Sequence, residues 1–255
     1  MSDQNNASKI LYYINLLSYF LLQIPVLIIS IPLYPFYGKL IVHKLYNITL
    51  FLLDKLFLQI HFLDDKKIDN TPCLLLLNHG SSCDSYIKYF APTVIISIAK
   101  NDIFYYPLLG QVFWMLDYIF VKSRDKNSRN DAKNKMIENF KKNTIVQLFP
   151  QGKRERNKLF QQNEIILKKG SIEVAIKHNI PIILVYHNIG DKVDDFTQIM
   201  YLNKKVYATR SNLMVLPNEY NELPVEEKVD IFYKMIYDEF TRLEKIVLDK
   251  STTIE

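Results

Sequence analysis

The chain has 255 residues, a formal net charge of +5, 49% hydrophobic residues and a mean hydropathy of -0.04. This length suits one domain with a sizeable core. With only 6 glycines and no GxGxxG or P-loop pattern, the sequence argues against a nucleotide-binding loop. Its two cysteines, Cys73 and Cys83, are too few for a disulfide framework or a zinc site, and we expect both to be reduced and buried.

The N-terminal part of the chain is apolar after a short polar start. Residues 1–9 are predicted to be disordered. Residues 10–37 carry no formal charge and are long enough to cross a bilayer, for which about 20 apolar residues suffice. Pro25, Pro32 and Pro35 interrupt this stretch. Two interpretations stay open: a spanning helix kinked at Pro25, or a helix that enters one leaflet and turns at the prolines. Because a basic start and a small-residue cleavage site are missing, we expect no removed signal peptide.

Residues 38–63 continue apolar, with scattered charges at helical spacing. This pattern predicts an amphipathic helix that lies on the membrane or packs on the next domain. We therefore expect a membrane-anchoring helical segment over residues 10–63, and a separate α/β domain over residues 64–255.

From residue 72 onwards, short apolar runs alternate with longer stretches of helical periodicity. Such alternation predicts an α/β fold with a mostly parallel central sheet flanked by helices. The predicted strands cover residues 74–77, 93–99, 118–121, 144–149, 180–186 and 212–216, and the predicted helices cover residues 83–89, 127–142, 164–179 and 225–248.

The first strand ends at Asn78 and His79, and Asp84 lies in the first turn of the following helix. The positive end of the helix dipole keeps a carboxylate ionised there. Asp84 can reach back to one imidazole nitrogen, fix the tautomer and leave the other nitrogen free to take a proton. The pattern indicates a general base; a histidine that caps a buried turn is the alternative. The other histidines are interpreted as structural: His43, His61, His178 and His187.

Positive charge is concentrated between residues 122 and 169, which hold fourteen Lys or Arg against five Asp or Glu. Arg124 and Arg154 each follow a predicted strand, and open α/β sheets bind ligands at the carboxyl ends of their strands. A guanidinium also has the planar fork that matches phosphate oxygens. We therefore predict a phosphate site at these two arginines.

The segment around His79 resembles the NHxxxxD motif of the glycerolipid acyltransferases, which include the 1-acyl-glycerol-3-phosphate acyltransferases. Further blocks follow in the order and spacing of that family, and together they cover roughly residues 73–186. Residues 100–124 resemble the second block, which ends in an arginine, and residues 180–182 with Pro181 resemble the last. The third block, FPEGTR, is matched by Phe149, Pro150, Gln151, Gly152, Lys153 and Arg154.

The resemblance implies a membrane-bound enzyme that moves an acyl chain from acyl-CoA to the hydroxyl of a lysophospholipid, most simply making phosphatidate. His79 would deprotonate that hydroxyl and Asp84 would orient His79, without a covalent enzyme intermediate. Acyl-CoA is a co-substrate, and we expect no metal, no other cofactor and no nucleic acid. The implied location is the endoplasmic reticulum or a bacterial inner membrane. The implied substrate-binding residues are Arg124, Gln151, Gly152, Lys153 and Arg154.

Two positions depart from the family pattern, because Gln151 replaces a glutamate and Lys153 replaces a threonine. Glutamine is uncharged and can donate as well as accept hydrogen bonds. The alternatives are therefore an acyltransferase for another lysophospholipid head group and a catalytically idle membrane scaffold. A hydrolase is disfavoured because the sequence contains no GxSxG pattern.

Overall fold

The structure is a computed structural model, and it describes residues 2–64, 71–90, 94–155, 158–201 and 203–252. The α-helices in these ranges are α1 Ser2–Leu21, α2 Gln23–Tyr37, α3 Lys39–Leu53, α4 Leu109–Met115, α5 Lys126–Lys141, α6 Lys169–Lys177, α7 Ile189–Lys192 and α8 Val225–Thr252. The strands are β1 His61–Phe62, β2 Leu74–Leu77, β3 Ile95–Lys100, β4 Ile119–Val121, β5 Ile145–Leu148, β6 Ile182–His187, β7 Val193–Asp194, β8 Ile199–Met200 and β9 Tyr207–Arg210.

Seven of these strands form one sheet in the order β1-β9-β6-β2-β5-β3-β4. Strands β6, β2, β5, β3 and β4 run parallel to one another, and β9 is antiparallel to β6. This confirms the predicted α/β fold with a mostly parallel central sheet. β2 lies in the middle, where Leu74 pairs with Val146 on one side and Ile182 on the other. A strand that is covered on both faces has apolar residues at every position. The four buried leucines of β2 show this pattern.

The sheet separates two hydrophobic clusters, and successive residues of β2 point into opposite ones. Leu75 and Leu77 face a cluster shared with α3 and α4, whereas Leu74 and Leu76 face the cluster of α6 and α8. The inner stripe of α8 has the helical spacing predicted from the sequence, and it is buried at Val229, Phe232, Ile236, Phe240, Leu243 and Val247.

Helices α1 to α3 form the apolar N-terminal region. α1 ends at Leu21. In a continuous helix the Leu21 carbonyl would accept the backbone N–H of residue 25, and a proline at that position has none. α2 packs against α3, with Gly38 between them at a φ of 54° that favours glycine. In the described part of the chain, Asn6–Tyr37 is long and apolar enough to cross a membrane, and most of it is exposed.

Several elements differ from the sequence prediction. Residues 2–9 are helical where disorder was predicted, because α1 begins at Ser2; Met1 lies outside the described residues. His61–Phe62 pairs with β9 and joins the sheet, although these residues were predicted to belong to the anchoring segment. The predicted strand over residues 212–216 is wrong, since only Met214 makes an isolated bridge there. The strand that flanks β6 is instead β9, which is antiparallel to it.

Candidate active site

The turn of residues 78–84, which we call the His79 turn, leaves the carboxyl end of β2 and enters a 3-10 helix, Ser82–Phe90. Asp84 is fully buried and accepts the backbone N–H groups of Gly80 at 2.9 Å and Ser81 at 3.0 Å. Its Oδ2 lies 2.7 Å from Nδ1 of His79. Because Nδ1 faces Asp84, Nε2 is the nitrogen of the imidazole that stays available for another partner, and the His79 side chain is 21% exposed.

Asn78 joins the ends of two central strands. Its side-chain amide donates to the carbonyl of His187 at 2.8 Å and accepts the N–H of His187 at 2.9 Å. This pair of bonds continues the β2–β6 ladder by one residue, so the backbone of the His79 turn starts from a defined position. Asn78 is thus a positioning residue for the turn.

The loop of residues 149–155, which we call the Phe149 loop, follows β5 and holds His79 from the other side. The Phe149 ring stacks on the imidazole at 4.1 Å between centroids. The His79 N–H donates to Oε1 of Gln151 at 2.6 Å, and the His79 carbonyl accepts the N–H of Glu155 at 2.8 Å. Substrate binding by Gln151 stays a prediction, but its contact in the structure is with the backbone of His79.

This contact explains how glutamine can stand where the family pattern has glutamate. The bond to His79 requires only an oxygen that accepts, and a side-chain amide supplies one. Gln151 is buried, so an uncharged group also avoids the cost of desolvating a carboxylate. The replacement therefore preserves the support of the His79 backbone.

In the rest of the Phe149 loop, Pro150 is hydrogen-bonded to the segment before α6, and Lys153 is exposed to solvent. The Pro150 carbonyl accepts the N–H of Lys168 at 2.8 Å. Gly152 has a φ of 70°, and a Cβ there would overlap the ammonium end of Lys168. Lys153 is 69% exposed and pairs with Glu155 at 3.3 Å. Glycine thus permits the turn, and two lysine side chains lie around it.

Arg154 contacts a carboxylate that the sequence did not single out. Its Nη1 donates to Oδ2 of Asp195 at 2.6 Å. Asp195 lies between β7 and β8, in a two-stranded unit that we call the 193–200 hairpin. Ser82 donates to the same carboxylate, from its N–H at 2.6 Å and its hydroxyl at 2.7 Å. The predicted cation therefore lies beside the His79 turn, together with an acidic partner.

The two remaining residues singled out from the sequence lie further from the turn. Arg124 is exposed after β4, three positions from β2 in the strand order, which is about 14 Å at ~4.8 Å per strand. No contact between Arg124 and the His79 turn occurs within the described ranges. Pro181 lies before β6, at the other end of the sheet, where its carbonyl accepts the N–H of Leu74. The structure brings neither residue to His79.

His187 was predicted to be structural, and the structure places it directly behind Asp84. It is fully buried, and its Nδ1 lies 3.9 Å from Oδ1 of Asp84. Burial lowers the pKa of His187, so the neutral ring is favoured despite the nearby carboxylate. The contact follows from the β2–β6 pairing, and nothing in the local sequence around His187 indicates it.

The geometry defines a histidine–aspartate pair at the carboxyl edge of a parallel sheet, beside an arginine. A model of the acyltransferase family matches residues 59–188, just over half of the chain. The chain therefore belongs to the acyltransferase family, in agreement with the resemblance in its sequence blocks. Within the described residues, no cluster of His, Cys, Asp or Glu is arranged to hold a metal ion.

Two proteins with similar sequences are consistent with this family assignment. The chain is 25% identical over 174 residues to a 1-acyl-sn-glycerol-3-phosphate acyltransferase of Limnanthes douglasii, covering 66% of this chain and 58% of that protein. It is 25% identical over 158 residues to the Haemophilus influenzae protein of the same name, covering 60% and 55%. The chain thus covers less than two thirds of the length of either relative.

The fold also resembles a solved structure. The crystal structure of PlsC from Thermotoga maritima, described as a 1-acyl-sn-glycerophosphate (LPA) acyltransferase, superposes with a TM-score of 0.68. The match covers 93% of this chain and 96% of the other at 17% identity. At this identity the likeness shows that the two chains share a fold.

Proposed function

We propose that this protein transfers an acyl chain from acyl-CoA to the free hydroxyl of 1-acyl-sn-glycerol 3-phosphate. The observation that carries the proposal is the 2.7 Å contact between His79 Nδ1 and Asp84 Oδ2, in a turn beside Arg154. The names of the relatives from Limnanthes douglasii and Haemophilus influenzae support the lysophosphatidate acceptor. Acyl-CoA as the donor rests on the resemblance of the sequence blocks.

The proposed reaction uses His79 as a general base. Nε2 takes the proton of the lipid hydroxyl, and the oxygen attacks the thioester carbonyl carbon. The carbon–sulfur bond then breaks, and the CoA thiolate leaves with the proton returned by the imidazolium. Asp84 holds the ring in the tautomer with Nδ1 protonated and stabilises the imidazolium, while Phe149 and Gln151 fix the ring and its backbone.

Membrane association is a second part of the proposal. α1 is attached to the domain by polar contacts: Tyr86 donates to Oδ1 of Asn15 at 3.0 Å, and Asn15 donates to the Cys83 sulfur at 3.3 Å. These contacts favour a helix that stays beside the catalytic domain and lies in one leaflet over one that leaves the domain to span the bilayer. The exposed apolar residues of α1 and α2 provide the lipid-facing surface.

The acyl transfer is tested with purified full-length protein in detergent micelles, acyl-CoA and a panel of lysophospholipids. CoA release is read with a thiol reagent, for which the chain is well suited. Cys73 is buried, and burial raises the pKa of Cys83 to about 12, so both thiols react slowly. We expect CoA release with lysophosphatidate and none from His79→Ala.

The panel separates the alternatives. Faster release with a lysophospholipid bearing inositol, glycerol or choline on its phosphate would replace lysophosphatidate as the acceptor. No release with any member of the panel would favour the idle scaffold, provided that circular dichroism shows folded protein.

Liposome flotation tests the membrane surface with a matched pair of variants. Ile28 on α2 is 67% exposed and Ile166 on the catalytic domain is 74% exposed. Ile28→Lys is expected to lower the bound fraction, because a charge is costly in the apolar layer. Ile166→Lys serves as the control, and equal losses in both variants would contradict the assigned surface.

A further inference from the structure

Four hydrogen-bond donors from three separate elements converge on the carboxylate of Asp195. Arg154 and the N–H of Ser82 each donate to Oδ2 at 2.6 Å. The Ser82 hydroxyl donates to Oδ1 at 2.7 Å, and the Tyr12 hydroxyl of α1 donates to the same oxygen at 3.1 Å. These donors form what we call the anion cradle.

We propose that Asp195 is a tethered occupant of the site for the acceptor lipid's phosphate, and that this phosphate displaces it before acyl transfer. The inference rests on the proposed function for its ligand, a phosphate monoester. It goes further in assigning to Asp195 the role of a competing anion that sets how strongly a head group must bind.

The cradle has the donor set of a phosphate site. It combines a guanidinium, a backbone N–H at the start of a 3-10 helix and two hydroxyls, and all four donate to one anion. It also adjoins the His79 turn, since Ser82 is only three residues beyond His79. An anion held there lies beside the imidazole that must meet the lipid hydroxyl.

Asp195 is held in a way that allows its departure. The 193–200 hairpin has strands of only two residues and lies outside the main sheet. Its next residues, Phe196, Thr197 and Gln198, are exposed, so a released carboxylate can reach water. In place, however, the Asp195 side chain is only 6% exposed, because the cradle and α1 cover it.

Charge favours a phosphate over the carboxylate. Asp195 brings one negative charge and two oxygens, whereas a phosphate monoester brings close to two charges and three terminal oxygens. Arg154 is 41% exposed, so a ligand can reach its guanidinium from the solvent side. A neutral hydroxyl ligand lacks the charge needed to displace a carboxylate paired with Arg154.

The test measures the binding of glycerol 3-phosphate to full-length protein by calorimetry, which requires no turnover. Asp195→Asn keeps the shape of the side chain and removes its charge. We expect it to bind glycerol 3-phosphate roughly tenfold or more tightly, since the ligand no longer competes with a charge-assisted ion pair. Glu222→Gln, which removes an exposed acid elsewhere, is the matched control and is expected to leave the Kd unchanged.

CoA also carries a phosphate monoester, so it forms a second arm of the experiment. Tighter binding of CoA alone would assign the cradle to the acyl donor and overturn the proposal. Unchanged or weaker binding of glycerol 3-phosphate by Asp195→Asn would also overturn it, because Asp195 would then be a fixed support for Arg154. Asp195→Ala repeats the measurement with a side chain that cannot hydrogen bond.

Arg154→Ala in both backgrounds completes a double-mutant cycle. Competition for one site predicts that this change weakens glycerol 3-phosphate binding more in the Asp195→Asn protein than in the original protein. Equal losses in both backgrounds would mean that Asp195 and the phosphate do not share Arg154. Because binding is read directly, failure of the acyl-transfer assay and failure of this inference remain distinguishable.

Discussion

The His79 turn and the 193–200 hairpin each present a carboxylate to the same run of backbone N–H groups. Asp84 accepts from Gly80 and Ser81, and Asp195 accepts from Ser82. Asp84 is at most four residues from these two backbone donors and is fully buried near the end of the central strand. Asp195 is 113 residues from Ser82 and comes from a two-stranded hairpin whose strands are largely buried and whose tip is exposed.

Asp84 is therefore a permanent part of the site, whereas Asp195 is an exchangeable part. Asp84 is positioned by the turn that it completes, so its removal leaves buried N–H groups and the imidazole without their partner. Asp195 depends on the packing of the hairpin against α1 and the Phe149 loop. The same chemical group therefore serves as the orienting member of the pair in one place and as a replaceable anion in the other.

Asp84→Asn is the strongest test of the role of Asp84 in the His79 turn. The amide has no negative charge and only one accepting oxygen, so it no longer stabilises the imidazolium that forms on His79. We expect acyl transfer to fall by roughly 10²- to 10⁴-fold, as measured by CoA release. A folded variant that keeps full activity would contradict the role of Asp84, whereas Asp195→Asn is expected to act on the acceptor KM.

Gln151→Leu breaks the support of the His79 backbone. The N–H of His79 loses the accepting oxygen of Gln151, and the turn loosens. We expect kcat to fall by about 10- to 100-fold, in line with an unpaired buried group costing roughly 1–3 kcal/mol. Gln151→Glu restores an accepting oxygen and is expected to retain much of the rate. Equal losses in both variants would show that the amide itself is required.

Lys88, in the 3-10 helix that extends from the His79 turn, makes the stability of the protein depend on pH. It is buried over the Tyr118 ring, and burial lowers its pKa to about 7. Between pH 7 and 9 the unfolded chain keeps a proton on Lys88 that the folded chain releases. The free energy of unfolding should therefore rise with pH, by up to about 1.4 kcal/mol per pH unit from this group.

Denaturant unfolding at pH 7, 8 and 9 measures this rise. Lys88→Met removes the titrating group, so its stability should depend less on pH over the same window. An unchanged slope in the variant would assign the pH dependence to other residues.

Thr197→Ala tests the hairpin and carries the smallest expected effect. The exposed Thr197 donates its hydroxyl hydrogen bond to Oδ2 of the buried Asp194 at 2.5 Å. Because Asp194 still accepts the N–H groups of Phe196 and Thr197, we expect a loss below about 1 kcal/mol in the free energy of unfolding. A loss of several kcal/mol would show that the hairpin is as firmly integrated as the His79 turn.

Much of the architecture was predictable because its signals are local. The four leucines of β2 and the periodic stripe of α8 identify a buried strand and a long amphipathic helix from their spacing alone. β9 was missed because a four-residue antiparallel strand beside β6 is specified by pairing rather than by its own pattern. Residues 2–9 were misjudged because their composition is polar, although the backbone continues into α1.

The sequence by itself determined the His79–Asp84 pair, since the five-residue spacing lets a short turn close the contact between imidazole and carboxylate. It also placed Arg154 at the correct edge of the sheet. Only the tertiary structure decided what surrounds them: Gln151 under the His79 backbone, His187 behind Asp84 and Asp195 on Arg154. These contacts join residues 41 to 103 positions apart, and strand order and hairpin packing set such distances, which no local pattern encodes.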